Sequence, residues 1–487
     1  MIATKMIESA ALWVSRQAQK RAPQGDGQNQ FLEGSFAPVN QESTFTRLEV
    51  TGQIPTELDG ILARIGPNPI TPPNPSTYHW FVGDGMVHGL RLLNGEAVWY
   101  RNRWVGTDKA NKKLERPRAD GKRHGIVDTV NTNIIGHAGS LWALVEAGAL
   151  PVQLDTNLDT VKHSLFHSDR AAAFTAHPHK DPISGDLHSI CYNALQRNRI
   201  HYQVINAKGE LIRRVPISVK HGPMIHDCAL TASKAIILDL PVTFSFKAVF
   251  KGATFPYQWN KRHSARVGVL PRHDSFPDNS SSHKNSEDCN ENEVRWYAVE
   301  PCYVFHTGNA FDLDDGSIVM DVVVHERMFD QSIQGPEGNK ITLERWTLPA
   351  NGTNVERKIL SDRAQEFPRF DERLATKDYR YLYTVGADVS APDSPQPLIR
   401  HDLQSGDVVE HWYGDSKVTG EVVFVPRNAN SAEDDGWLLS YVYDLADDSS
   451  EVVILDATNP SAEPLAVIKI PVRVPMGFHG NWIAADA

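Results

Sequence analysis

Apolar and polar positions alternate over short stretches along most of the chain, and Gly- or Asn-containing turns interrupt the alternation at intervals. A period of two marks strands that bury one face. The clearest case runs Val87–Leu93, Asn94-Gly95, then Glu96–Val105. Asn-Gly supplies the positive φ angles of a type I′ turn, so the segment predicts a hairpin. Equivalent strand–turn–strand units are expected over Arg199–Val219 around Lys208-Gly209, Lys340–Leu360 around Asn351-Gly352, and Leu398–Tyr413 around Ser405-Gly406. Long helical patterns are nearly absent beyond the N-terminus, which argues against a Rossmann or (β/α)8 architecture. The pattern predicts an all-β protein, propeller or sandwich, and no blade signature repeats clearly enough to choose between them.

Two segments break the pattern. Ile2–Arg21 has Met6, Ala10 and Trp13 at helical spacing, with Lys5, Glu8 and Arg16 elsewhere, and is expected as a helical tail within residues 1–30, docked or frayed rather than a membrane anchor. Ser275–Glu293 is rich in Asn, Ser, Asp and Glu and has almost nothing to bury. Strand-like sequence resumes at Val294, so this stretch is expected as a flexible insertion, at about 275–293, inside one domain covering 31–487.

Composition narrows the function classes. Hydrophobic residues at 41% and charged residues at 22% are globular values. The net charge of −11, without a long basic run, excludes a nucleic-acid surface as the natural reading. Cys191, Cys228, Cys289 and Cys302 stand apart with no CxxC, which fits reduced thiols in the cytoplasm. No apolar run approaches a membrane span or the core of a signal peptide, so a cytoplasmic protein is expected.

Among twenty histidines, four recur in apolar or strand-end settings: His177 in Ala-His-Pro, His226 in Ile-His-Asp, His306 in Val-Phe-His and His479 in Gly-Phe-His-Gly. Taken singly, each is explained as a satisfied core or surface histidine. Their separations of 49, 80 and 173 residues correspond to one blade, one blade plus the insertion, and about three blades of roughly 50–60 residues. Such spacing lets distant segments deliver imidazoles to one central axis. A local zinc site from His177, His179 and His188 lacks a cysteine or an HExxH helix to complete it. Gly83–Gly89 lacks the Lys-Ser/Thr of a phosphate loop and reads as a tight turn, and no Gly-x-Ser-x-Gly elbow is present.

Ordered motifs then carry a resemblance. Arg64-Ile-Gly-Pro-Asn-Pro69, Val82-Gly-Asp-Gly-Met-Val-His88, Val130-Asn-Thr-Asn-Ile134, Leu144-Val-Glu-Ala-Gly148, Ile225-His-Asp227, Gly268-Val-Leu-Pro-Arg272, Glu300-Pro-Cys-Tyr-Val-Phe-His306, Gly420-Glu-Val-Val-Phe-Val-Pro-Arg427 and Val474-Pro-Met-Gly-Phe-His-Gly-Asn-Trp482 resemble the carotenoid cleavage oxygenases along nearly the whole chain. The resemblance implies a seven-bladed β-propeller with non-haem Fe(2+) on its axis, held by His177, His226, His306 and His479. It also implies that Glu146, Glu366 and Glu421 orient three of these ligands, and that Thr132 lies near the position where O2 binds. A ligating imidazole must be neutral and correctly turned, and a carboxylate accepting its other N–H fixes both. Four neutral ligands also leave the metal charge uncompensated, so carboxylates one shell out supply the balance.

The same resemblance implies an oxidoreductase that cleaves a C=C bond of an apolar polyene, a carotenoid or apocarotenoid, with O2 to two carbonyl products, without an organic cofactor and with transient contact at a membrane surface. Val145 stands where the stilbene- and phenylpropenoid-cleaving branch usually has a phenol-binding lysine, and Ala110 at about the position of that branch's tyrosine. Both point toward the polyene. His79-Trp80-Phe81-Val82-Gly83-Asp84-Gly85 also departs from the family's usual His-Phe-Asp-Gly-Asp-Gly. The alternatives are a stilbene-cleaving dioxygenase, a redox-neutral isomerase or hydrolase on the same scaffold, and a propeller that only binds ligand or protein.

Overall fold

The hairpins expected from the sequence are all present, and each is the outer half of a larger sheet. In the computed structural model, which describes residue 17 and residues 28–125, 127–170, 172–272, 294–332 and 340–485, Gly85–Leu93 pairs with Glu96–Trp104 across Asn94 (φ 51°) and Gly95 (φ 78°). Both turn residues adopt the positive φ of the type I′ geometry. Arg199–Ile205 with Leu211–Ser218, Ile341–Leu348 with Glu356–Ser361, and Leu398–Asp402 with Val408–His411 repeat the arrangement.

Seven sheets of four or five strands, antiparallel except where Asp120–Gly121 pairs parallel with Thr160–His163 at the outer edge of blade 2, form the blades of a β-propeller. From blade 1 to blade 7 the innermost strands are Gly480–Ala484, Asn133–His137, His179–Lys180, Cys228–Leu230, Thr307–Asp312, Gln365–Arg369 and Lys417–Pro426. Each of the hairpins named above supplies the third and fourth strands of its blade, counting outward from the axis. The choice left open between sandwich and propeller is thereby settled. Segments from both ends of the described chain close the ring: Gly480–Ala484 pairs with Gly60–Pro67 in blade 1, while Val50–Gly52 adds an edge strand to Ala466–Ile470 in blade 7.

Middle strands are covered on both faces by neighbouring blades, so they are continuously buried rather than alternating. Gly60–Pro67 and Ile318–His325 are buried at every position, whereas the outermost Glu356–Ser361 has no fully buried residue. The apolar clusters accordingly lie between blades, for example Leu62, Leu90, Trp437 and Ile454 between blades 7 and 1, and Phe311, Val323, Leu343 and Leu382 between blades 5 and 6. Burial of this kind contributes about 25 cal/mol per Å².

The expected insertion lies outside the described residues, between Arg266–Pro271 and Arg295–Ala298, which pair directly within blade 4. The expected N-terminal helix also lies outside them, apart from Gln17. Residues just after it dock on the propeller: Phe31 and Phe36 are buried with Tyr78, Val418 and Met476, and Phe31 stacks on Trp80 at 5.4 Å. Among the described residues the α-helices are short, Asp108–Lys113 and Phe246–Phe250, and no helix is long and apolar enough to cross a membrane.

Candidate metal centre

The axial end where innermost strands begin collects one residue from almost every blade. His177 lies just before the innermost strand of blade 3, and His226, His306 and His479 lie just before those of blades 4, 5 and 1; Thr132 does so in blade 2. From His306, three blades round the ring lead to His479, as the spacing anticipated. Glu366 and Glu421 lie within the innermost strands of blades 6 and 7, at register shifts between Glu366 and Arg369 and between Thr419 and Val422. Such bulges turn a side chain away from the regular pleat. Glu146 follows Ser140–Leu144, and the residues after two of the glutamates, Ala147 (φ 64°) and Phe367 (φ 56°), take left-handed backbone rarely adopted by side-chain-bearing residues.

The ligating atoms of His177, His226, His306 and His479 all lie within 4.8 Å of one another. Three rings are held from behind: His226 Nδ1 to Glu146 at 3.1 Å, His306 Nδ1 to Glu366 at 2.7 Å and His479 Nδ1 to Glu421 at 2.9 Å. His177 has no carboxylate behind it, and its Nε2 is buried without a partner. His306 Nε2 and His479 Nε2 face each other at 3.1 Å. In the neutral tautomers that donate Nδ1–H to Glu366 and Glu421, His306 and His479 turn Nε2 lone pairs toward each other, and the buried Nε2 of His177 belongs to the same cluster. A cation relieves that repulsion, so the four imidazoles fit a divalent transition ion with nitrogen preference.

Electrostatics separates the rings. Burial, reinforced by the neighbouring imidazoles of His479, His226 and His306, holds His177 well below the ordinary histidine range. Burial also lowers His479 to about 4 against the opposing pull of Glu421. His306 goes the other way, because Glu366 outweighs the burial that would lower it. Burial would raise both carboxylates, yet His306 and His325 hold Glu366 well below the carboxylate range, and Arg369 with His479 hold Glu421 at about 2. Both glutamates are therefore anions at neutral pH, as the orienting role requires.

The local zinc alternative does not assemble. His188 bonds the Tyr202 hydroxyl at 2.6 Å and lies 3.1 Å from the Arg272 guanidinium, while His179 pairs with Asp227 at 2.8 Å. His179, Asp227 and Cys228 do form a compact group. Asp227 is nevertheless saturated by His179, the Cys228 N–H at 2.7 Å, and the Thr307 N–H and hydroxyl at 2.8 and 2.9 Å. It ties together the residues that follow three of the four histidines.

A cavity of about 650 Å³ opens onto the imidazoles and is walled mainly by apolar and aromatic side chains. Phe305 meets His226 edge-on at 5.3 Å, Phe367 stacks on His306 at 5.3 Å, and Trp80 and Phe81 pack on Phe478 at 4.6 and 5.4 Å. Val145 lines the wall beside Glu146. Ala110 is buried in its helix and is not part of the wall; its neighbour Lys109 is, 3.5 Å from Asp84. Thr132 lines the cavity too, and its hydroxyl donates to the Asn131 side chain at 3.0 Å rather than to backbone. Individual-residue reading missed the aromatic wall, although a Phe precedes both His306 and His479 in the motifs. Phe31, His325 and Arg369 carried no local signal, and Asp227 stood in the Ile225-His-Asp227 motif without a role of its own.

Comparison with known proteins agrees with this geometry. Residues 36–484 match the model of a family described as retinal pigment epithelial membrane protein. A carotenoid cleavage oxygenase of Mycobacterium tuberculosis is 39% identical over 511 residues, covering 95% of this chain and 99% of that protein. Among solved structures, the lignostilbene dioxygenase of Pseudomonas brassicacearum superposes with a TM-score of 0.81 at 28% identity, covering 94% of this chain and 99% of the other. The apocarotenoid oxygenase of Synechocystis, in a cobalt-substituted form, gives 0.79 at 25% identity over 92% and 97%. The chain belongs to the carotenoid cleavage oxygenase family and is an enzyme of the dioxygenase type.

Proposed function

We propose that the protein binds Fe(II) through His177, His226, His306 and His479 and cleaves a C=C bond of a carotenoid or apocarotenoid with O2 to give two carbonyl products. One observation carries the reading: a cluster of four imidazoles, three of them braced by glutamates, presents His226, His306 and His479 as part of the polar lining of a large aromatic cavity. Iron(II), when bound, supplies the chemistry that activates O2. The protein's own residues supply the rest. Glu146, Glu366 and Glu421 keep three Nδ1 protons in place, so that Nε2 lone pairs face the axis. Thr132 narrows the space beside the imidazoles. The aromatic wall excludes water and holds an extended apolar chain so that one bond reaches the axis. Val145 places an isopropyl group, not a cation, next to that path, which favours a polyene over a phenol.

We place this activity in the cytoplasm, in keeping with the buried free thiols of Cys191, Cys228 and Cys302. Phe246 and Phe250 are exposed on a short helix bearing Lys247 and Lys251, next to the cavity-lining Phe244 and Val249, which supports brief contact with the lipid surface that holds a polyene. Cleavage of a stilbene is the competing reading, favoured by Lys109 on the cavity wall. The test incubates iron-loaded protein with 18O2 and separately with β-carotene, apocarotenals and resveratrol, followed by mass spectrometry. Labelled aldehydes from the polyenes are expected. Turnover of resveratrol alone overturns the substrate assignment, and no oxygen-dependent product overturns the reaction.

A further inference from the structure

Glu366 differs from the other two orienting glutamates in being shared between two imidazoles. Its Oε2 accepts from His306 Nδ1 at 2.7 Å and from the Phe367 N–H at 2.8 Å, while its Oε1 accepts from His325 Nε2 at 2.6 Å. His325 ends the second strand of blade 5, Ile318–His325, and reaches across to the innermost strand of blade 6. Its backbone is fixed by paired hydrogen bonds with Tyr303, both 2.8 Å, and its ring by an edge contact with Phe305 at 5.3 Å. The other ring nitrogen, Nδ1, is buried without a partner. A proton on Nδ1 would be a buried N–H donor with no acceptor, so the tautomer with its proton on Nε2 is the one that pairs the donor.

We propose that His325 is a positioning residue of the metal centre: by donating Nε2–H to Glu366 Oε1 it fixes the carboxylate that orients His306. Among the described residues Oε1 has no other hydrogen-bond partner. Removing the donor leaves one oxygen of a buried carboxylate unsatisfied, and the carboxylate turns to regain a partner. Turning draws Oε2 away from His306 Nδ1, and the ligand loses both its tautomer and its aim. Glu421 is braced differently, by the Gly480 N–H at 2.8 Å and Arg369 at 3.4 Å, so this dependence belongs to the His306 side alone.

The inference rests on the iron reading above, and its test separates the two. His325→Gln retains a donor at the tip of an unbranched side chain, and His325→Met has a similar shape without one. Fe(II) affinity is measured by competition with a chelator, and the cobalt(II)-substituted proteins are compared by their visible absorption. For His325→Gln the expectation is affinity within about twofold of wild type; for His325→Met it is a loss of roughly tenfold or more with an altered cobalt spectrum. A folded His325→Met protein with wild-type affinity and spectrum overturns the role of His325 and leaves the iron site standing. Wild-type protein that binds neither ion overturns both. The second measurement needs no donor-free variant: 15N spectra of zinc-loaded, histidine-labelled wild type, with the His325 signals assigned by their loss in His325→Gln. A ring with its proton on Nε2 is expected, and a neutral ring with its proton on Nδ1, which cannot donate to Glu366, overturns the proposal.

Discussion

His177 and His179 lie two residues apart, His226 and Asp227 adjoin, and yet the two clusters they build differ in kind. In one, the ligating atoms of His177, His226, His306 and His479 gather within 4.8 Å of one another, His306 Nε2 and His479 Nε2 approach to 3.1 Å, and His177 Nε2 has no hydrogen-bond partner among the described residues. In the other, four donors from His179, Cys228 and Thr307 saturate Asp227. Both clusters gather metal-ligating residue types within the same short distance of one another. What separates a candidate metal centre from a structural lock is the hydrogen bonding left undone, since a buried polar atom without a partner costs about 1–3 kcal/mol.

The sharpest way to break the comparison is His479→Ala, expected to abolish stoichiometric iron binding and oxygen-dependent cleavage, read by metal analysis and product detection. Iron retained at one equivalent would remove the axial cluster from consideration. Next is Glu421→Gln, expected to weaken Fe(II) binding roughly 10–100-fold while the fold is kept, measured by chelator competition. On the other cluster, Asp227→Asn should cost about 1–3 kcal/mol in denaturant unfolding, because it mismatches saturated donors, and should still bind one equivalent of iron. Finally, Cys228→Ala should change stability by less than about 1 kcal/mol and leave metal content unaltered; a loss of metal would turn the lock into a second site.

Hairpins were the legible part of the fold because turn chemistry is local. Asn94-Gly95, Lys208-Gly209 and Ser405-Gly406 each end one strand and start its neighbour, and all fall in the outer halves of blades. Innermost strands were not legible, since they can be as short as His179–Lys180 and carry polar residues for the axis rather than a hydrophobic alternation. Closure of the ring was invisible for a different reason: Val50–Gly52 and Gly480–Ala484 pair with partners that no local pattern names. In the site, the histidines and glutamates entered through motifs shared with a family. Asp227 stood in one of those motifs without a role of its own, whereas His325 acts through a contact set by blade packing, and a residue whose meaning lies in its partner in the next blade leaves no mark on its own neighbours in sequence.

The seam of the ring has a mechanical consequence. Gly480–Ala484 closes blade 1 and, one residue earlier, brings His479 to the axis. On the proposed ligand set, the ion is a hub pin joining blades 3, 4 and 5 to the strand that zips the circle shut. Opening the seam and releasing the ion are then one motion, and ion binding resists opening by mass action, about 2.7 kcal/mol when free ion is a hundredfold above its dissociation constant. Chelation should therefore lower the unfolding temperature, and pulling from the C-terminal strand should meet its greatest resistance only in the metal-loaded ring.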